Sequence, residues 1–346
     1  MPIGHDRRTS SGAEAGGVPE LDVVICTYNN APMLDRVLTA LAIQEPAGGS
    51  WRVLVVDNNS SDATAAVVAR HCEAGAVPGL RRVEEPVQGL TPARVRGVTA
   101  TTAPWVAFVD DDCLLAPDWV RQASAFAASH PDAGGFGGRV VPTYDQPPPP
   151  VLAGYGWAFA EQDLGDEPVT TECLVGAGMV VNRAALVESG WVVRPYLADR
   201  VGRRLVSGGD VEIALRLAGT GRPLWYSPAL GLRHLVPARR TTMRYLARMT
   251  FGLGTAWSLA SALTWPGTRR RWARSITGQL LAGLRPLPRL ARRAATGGAT
   301  ARHDALLAAG YECGRWLGAA RVAALIACRR CPFFGEAAVR RPCPTP

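Results

Sequence analysis

The chain of 346 residues has the 47% apolar content of a globular protein and suits one large domain or a domain with an appendage. All 38 basic residues are Arg, and they divide unevenly: residues 1–238 hold 19 Arg against 26 acids, a net of −7, while residues 239–346 hold 19 Arg against three acids, a net of +16. The overall basicity therefore belongs to the tail and points to an anionic partner (a membrane surface, a nucleic acid or a charged substrate) or to a solvated Arg-rich helical surface. Eight scattered cysteines, several inside apolar runs, argue against a disulfide framework and for a reducing, cytoplasmic compartment.

Residues 1–20 are polar and rich in Gly and Ser, and we expect a disordered segment with no signal peptide. LDVVICT, residues 21–27, reads as a buried strand. Leu34, Val37, Leu38 and Leu41 then recur at helical spacing within 33–43. WRVLVVD (51–57) is a second strand ending in an acid, and a helix follows over 62–73. LRRVEE (80–85) is a third strand, TPARVRGVTAT (91–101) a short helix with Pro92 near its start, and PWVAFVDDD a fourth strand. Strands alternating with helices predict an open, mainly parallel α/β sheet, which binds ligands outside the carboxyl ends of its strands. A Gly-x-Gly-x-x-Gly run and a P-loop are both absent, which argues against the usual dinucleotide fold.

Pro147–Pro150 mark a break. Beyond them CLVGAGMVVNRAALVESG predicts strand, Gly-containing turn and helix. VSGGDVEIALRLAGTG predicts a loop and a helix over 211–219, and PLWYSPALGLRHL is extended. From 239 the chain becomes helical. Its uncharged stretch Met249–Trp265 is short for a bilayer span, and Arg269–Arg271 follow it. Helices lying on a membrane face, or capping the domain, fit better than a true span.

VAFVDDDCLLAPDW carries the chemistry. Asp110, Asp111 and Asp112 repel one another unless a cation or donors compensate them. Asp110 and Asp112, two apart on a strand, should point to one side and could bind Mn²⁺ or Mg²⁺, bridging the protein to a phosphate-bearing ligand. The plain alternative is a solvated acidic turn capping the helix at 117–129 through Asp118.

The order of six segments resembles glycosyltransferase family 2, the inverting GT-A transferases, over 21 to about 252. These are VVICTYNN, VLVVDNNSSDAT, GLTPARVRGV (Val95 where Asn is usual), VAFVDDDCLLAPDW, GAGMVVNRAAL and SGGDVEIALRLAGTGRPLWYSPA. The resemblance implies a nucleotide half over 21–141, an acceptor half over 151–238 and a helical, Arg-rich extension over 239–346. It implies a nucleotide-sugar enzyme that serves polysaccharide or cell-envelope synthesis, membrane-associated on the inner face.

Roles follow from the resemblance. Asp57 would accept from the nucleobase, or cap the next helix. Tyr28 would lie beside the base, or simply pack, and Thr27 offers a hydroxyl. Arg94 would steady the donor, with Arg96 its rival on chemistry alone. Asp110 would contact ribose or metal, Asp111 would line the nucleotide-sugar site, and Asp112 would be the principal ligand of Mn²⁺ or Mg²⁺. Asp210 stands at the base position, or caps the helix. Gly209 replaces the usual Glu, and Glu212 is the second-choice base or an acceptor contact. His234 would complete the metal shell or bond the leaving phosphate, unless it is structural. The donor would be UDP-, GDP- or dTDP-linked, and the acceptor a saccharide, a lipid-linked sugar or a small natural product. A zinc site on Cys328 and Cys331 would need a completing ligand such as Cys313, Cys343 or His303, and none repeats the pair spacing. A sugar nucleotidyltransferase would need a Gly-rich, basic first loop, which TYNNAPML lacks. A non-catalytic anion- or nucleic-acid-binding protein would rest on the tail alone, and the sequence holds no nucleic-acid motif.

Overall fold

A computed structural model describes residues 20–328 apart from 153, 202–207, 264 and 266, so residues 1–19, Cys331 and Cys343 lie outside the described residues. The nucleotide half follows the expected alternation: β1 (Leu21–Thr27), α1 (Ala31–Ala42), β2 (Trp51–Asp57), α2 (Thr64–Ala74), β3 (Arg81–Glu84), α3 (Leu90–Ala100), β4 (Trp105–Asp110), β5 (Cys113–Leu115) and α4 (Trp119–Ser129). The next elements are β6 (Gly135–Tyr144), β7 (Val169–Thr171), β8 (Met179–Asn182), α5 (Arg183–Glu188), α6 (Gly209–Gly219) and β9 (Leu224–Val236). All nine strands form one sheet in the order β3-β2-β1-β4-β8-β6-β9-β5, with β7 on β9. The first four are mutually parallel; the acceptor half is mixed, with β8 antiparallel to both β4 and β6.

Side-chain alternation along each strand separates two cores. Val23 and Ile25 face one layer with Leu34, Val37 and Leu38 of α1 and Trp119 of α4. Val24 faces the other, with Val98 of α3, Leu186 of α5 and Ile213 and Leu217 of α6. Apolar faces on both sides of the parallel strands hold the strand ends rigidly, which suits a site built along that edge.

The basic extension comprises α7 (Met243–Leu263), α8 (Arg269–Leu284), α9 (Leu287–Thr296) and α10 (Ala299–Ala327). Of the two expectations for the apolar stretch, membrane face or cap, its packing follows the cap: much of α7 is buried. Leu246 and Met249 of α7 pack on Leu152, Phe159 and Val236, and Leu307 of α10 joins them. Gly254 of α7 and Gly314 of α10 let the two backbones touch. A Cβ on either would stand 2.1 Å from a carbonyl oxygen of the other helix. Among the described residues no helix is long and apolar enough to cross a membrane.

Candidate active site

Parallel register sets the site. Thr27 pairs with Asp57 and Cys26 with Asp110, so β1, β2 and β4 deliver their polar last residues to one edge. Asp57 is buried; its Oδ1 accepts from the Ser60 N–H at 3.0 Å and its Oδ2 from Arg82 Nη1 at 2.7 Å. Each oxygen keeps a second lone pair. Tyr28, just past the strand, is 41% exposed. Thr27 is buried and donates its hydroxyl to Asp111 Oδ2 at 2.6 Å, while Asn30 donates to Asp111 Oδ1 at 2.8 Å.

Asp110 and Asp112 do not lie two apart on one strand, contrary to the expected alternation. β4 stops at Asp110, and Asp111 and Asp112 form a turn before β5. The turn still returns Asp112 to Asp110: their ligating oxygens and Cys113 Sγ all lie within 4.8 Å of one another. Asp118 precedes α4 without capping it, and is engaged by Arg121 and Gln122.

Asp112 is the electrostatic centre. Its Oδ2 accepts from Arg240 Nη1 at 2.7 Å, and its Oδ1 stands 3.5 Å from His234 Nε2. Burial alone would raise its pKa; the hydrogen bond and charge of His234, with Arg240 and Arg200, outweigh burial and hold the carboxyl well below the usual range. His234 Nδ1 lies 2.6 Å from the Phe159 carbonyl, which can only accept, so Nδ1 carries the proton and Nε2 faces Asp112. Asp111 moves the other way. Burial and then the charge of Asp112 push it to about 7, against the Thr27 and Asn30 hydrogen bonds.

A divalent ion fits this donor set. Asp110 and Asp112 present hard oxygens that converge, His234 Nε2 stands 3.5 Å from Asp112, and crowded carboxylates raise the cost of ionising Asp111. The Cys113 thiol, raised well above its normal pKa by burial and then by the aspartates, stays protonated and is a poor ligand.

The raised Asp111 makes a prediction. The unfolded carboxyl ionises near pH ~3.9, whereas the folded one keeps its proton to about 7, so stability falls as pH rises between those values and levels above them. In EDTA the melting temperature of the wild type should drop from pH 5 to pH 7.5. Asp111→Asn should flatten that slope, leaving the part that the raised Asp199 and His234 contribute. An unchanged slope in the variant rules the assignment out.

On the acceptor side, Arg94 is buried and reaches two carboxylates, Asp110 Oδ1 at 3.4 Å and Asp199 Oδ2 at 3.3 Å, above the Phe108 ring. Burial lowers its pKa, but Asp110, Asp199 and Asp210 outweigh that and raise it. Arg96 is exposed on the other face of α3, whereas Arg94 is buried against Asp110 and Asp199. Asp210 is half-buried in the first turn of α6, where the helix dipole favours a carboxylate. It does not cap that helix: the N-cap is Gly208, and Asp210 Oδ2 accepts from the Gly176 N–H at 3.3 Å. A Cβ on Gly176 would stand 2.9 Å from Arg94 Nη2 and 3.1 Å from the Asp210 Cβ, so this glycine backbone separates the two. Glu212 needs a firmer correction. It is fully enclosed, accepts from the N–H groups of Tyr196 and Leu197 and from Arg216 Nε, and cannot meet an acceptor.

Sequence reasoning missed Asp199, Arg200 and Arg240. Arg240 sits in the basic tail, where it counted only as bulk charge; its pairing with Asp112 spans 128 residues and has no local signal.

Residues 22–185 match the model of the family described as Glycosyl transferase family 2. The succinoglycan biosynthesis protein ExoM of Rhizobium meliloti (strain 1021) is 24% identical over 277 residues, 75% of this chain and 80% of its own. Validoxylamine A glucosyltransferase of Streptomyces hygroscopicus subsp. jinggangensis (strain 5008) is 36% identical over 108 residues, which is 31% of this chain and only 25% of that protein. Among solved structures, the mannosyltransferase PcManGT from Pyrobaculum calidifontis, in complex with GDP-Man and Mn²⁺, superposes with a TM-score of 0.53 at 20% identity, covering 93% of this chain and 78% of that one. With the sheet edge, the acidic turn and these matches together, residues 22–185 carry the Glycosyl transferase family 2 match, and the protein is a glycosyltransferase of the GT-A fold.

Proposed function

We propose that the enzyme transfers a sugar from a UDP-, GDP- or dTDP-linked donor to a hydroxyl of a saccharide, lipid-linked or small natural-product acceptor, inverting the sugar carbon. One observation supports this: Arg94 bonds Asp110 and lies beside Gly176, whose N–H donates to Asp210, so both acids border one guanidinium. Tyr28 would pack on the base, while Asp57, with Thr27 behind it, would accept from the base edge. Asp112 and Asp110, with His234 Nε2, would hold Mn²⁺ or Mg²⁺. When bound, such an ion neutralises charge developing on the departing diphosphate. Asp210 would take the proton of the acceptor hydroxyl as its oxygen bonds to the sugar carbon and the carbon–phosphate-oxygen bond breaks, its electron pair leaving with the diphosphate. Attack opposite the leaving group inverts the centre. PcManGT takes GDP-Man with Mn²⁺ on the same fold, which supports this pairing of donor and ion.

The test is a panel of UDP-, GDP- and dTDP-sugars with Mn²⁺ or Mg²⁺, with and without EDTA, scoring nucleoside diphosphate release and product anomer. Metal-dependent release with inversion is expected. Pyrophosphate release from a nucleoside triphosphate and a sugar phosphate would instead make the protein a nucleotidyltransferase.

The extension supports a second element, contact with an anionic membrane surface at the cytoplasmic face. No acid occurs between residues 239 and 303. Arg289, Arg292 and Arg293 are exposed on one face of α9, while Leu287 and Leu290 are half-buried and α9 packs on α10. The protein should cosediment with phosphatidylglycerol vesicles and not with phosphatidylcholine ones. Replacing these three arginines with alanine should weaken binding about 100-fold, at about 1 kcal/mol per arginine. Equal binding by variant and wild type would remove α9 from the contact.

A further inference from the structure

Gly209, the first residue of α6, stands where the family resemblance leads one to expect an acid, directly before Asp210. The structure puts another carboxylate into that space. A Cβ on Gly209 would lie 2.9 Å from the Cβ of Asp199 and 3.1 Å from its Oδ2. Asp199 comes from the segment ahead of α6 and is 7% exposed. Its placement is specified from several sides. Its N–H donates to Thr91 Oγ1 at 3.1 Å, its carbonyl accepts from the Leu90 N–H at 3.3 Å, and its Oδ1 accepts from the Arg200 N–H at 3.1 Å. The remaining oxygen, Oδ2, accepts from Arg94 Nη1.

Arg94 touches Asp110 next to the acidic turn and also lies beside Gly176, in the neighbourhood of Asp210. Its guanidinium is almost fully buried, so its position depends on the carboxylates that hold it, Asp110 on one side and Asp199 on the other. Without Asp199 the guanidinium keeps a single carboxylate partner and is free to tilt away from Gly176 and Asp210. A displaced Arg94 would therefore leave the surroundings of Asp210 without the guanidinium that lies beside Gly176.

We infer that Asp199 is a positioning residue of the transfer site: it delivers from position 199 the carboxylate that α6 lacks at 209, and thereby fixes Arg94 beside Asp210. The inference rests on the proposed role of Asp210 and adds a residue that acts through Arg94 without touching substrate.

Moving the carboxylate tests it. Asp199→Ala should lower kcat about 30-fold while the Kd of nucleoside diphosphate with Mn²⁺ stays within about threefold, since chemistry and binding separate in such a split. Gly209→Glu alone should also be impaired, because its side chain enters the volume of Asp199. The double variant Asp199→Ala/Gly209→Glu should recover kcat at least ~10-fold over Asp199→Ala, the non-additivity expected of two positions serving one contact. A double variant that melts like the wild type but is no faster than Asp199→Ala overturns the inference, as does wild-type kcat in Asp199→Ala. If alanine at 199 prevents folding, the near-isosteric Asp199→Asn decides: a kcat within about threefold of wild type overturns the inference, and a larger loss with unchanged nucleotide Kd supports it. Asp210→Asn separates the two levels. If that variant turns over normally the base assignment itself fails, whereas an inactive Asp210→Asn with no recovery in the double variant sinks only the role of Asp199.

Discussion

Asp112→Ala is expected to abolish turnover and to remove the metal dependence of nucleotide binding. A loss of at least ~10³-fold in kcat is in the range seen when a principal electrostatic stabiliser of a transition state is deleted. The argument rests on position: Asp112 is the buried member of the acidic turn, kept ionised by His234 and Arg240, and its oxygens converge with those of Asp110. The variant also carries a cost in stability, because Arg240 and His234 lose their partner in a largely buried setting. Breaking a buried pair from one side costs about 3 kcal/mol or more. Asp112→Asn is the control for folding, since it keeps the shape and one acceptor for Arg240. The two effects are told apart by titrating Mn²⁺ in the presence of nucleoside diphosphate at a temperature where both variants are folded. Full metal-dependent binding in a folded Asp112→Ala protein would remove this residue from the metal site.

Asp210→Asn is expected to behave differently: donor binding preserved, transfer reduced by about 10²–10⁴-fold, the usual range for loss of a general base. The substitution keeps the size of the side chain and an oxygen to accept from the Gly176 N–H, so the local backbone is undisturbed. It removes the one half-buried carboxylate in the first turn of α6 that has no salt bridge of its own among the described residues. Slow hydrolysis of the donor should survive, because donor binding does not pass through Asp210. Transfer at the wild-type rate would show that the acceptor proton leaves by another route.

The nucleotide half was open to inference from sequence for a local reason. Each parallel strand is a short apolar run that ends at a polar residue, and register then carries Thr27, Asp57 and Asp110 to one edge without further information. α1, α2, α3 and α4 follow from helical periodicity within a few residues of their observed bounds. The acidic turn was legible as a cluster, but not its geometry, because strand alternation ends at Asp110 and the turn that follows is set by the pairing of β5 with β9. Glu212 looked like a candidate base by type and spacing. Only the fold shows it folded inward onto the N–H groups of Tyr196 and Leu197.

What the sequence determined by itself is the family resemblance, the order of sheet and helices, and the set of acids at the strand ends, since these depend on residues close together in the chain. The tertiary structure alone decided which charges meet. Arg240 reaches Asp112 across 128 residues and Asp199 reaches Arg94 across 105. Burial pushes both Asp111 and Asp112 up, and His234, Arg240 and Arg200 pull only Asp112 down, so neighbours in sequence part in pKa because nearby charge acts through space and not along the chain.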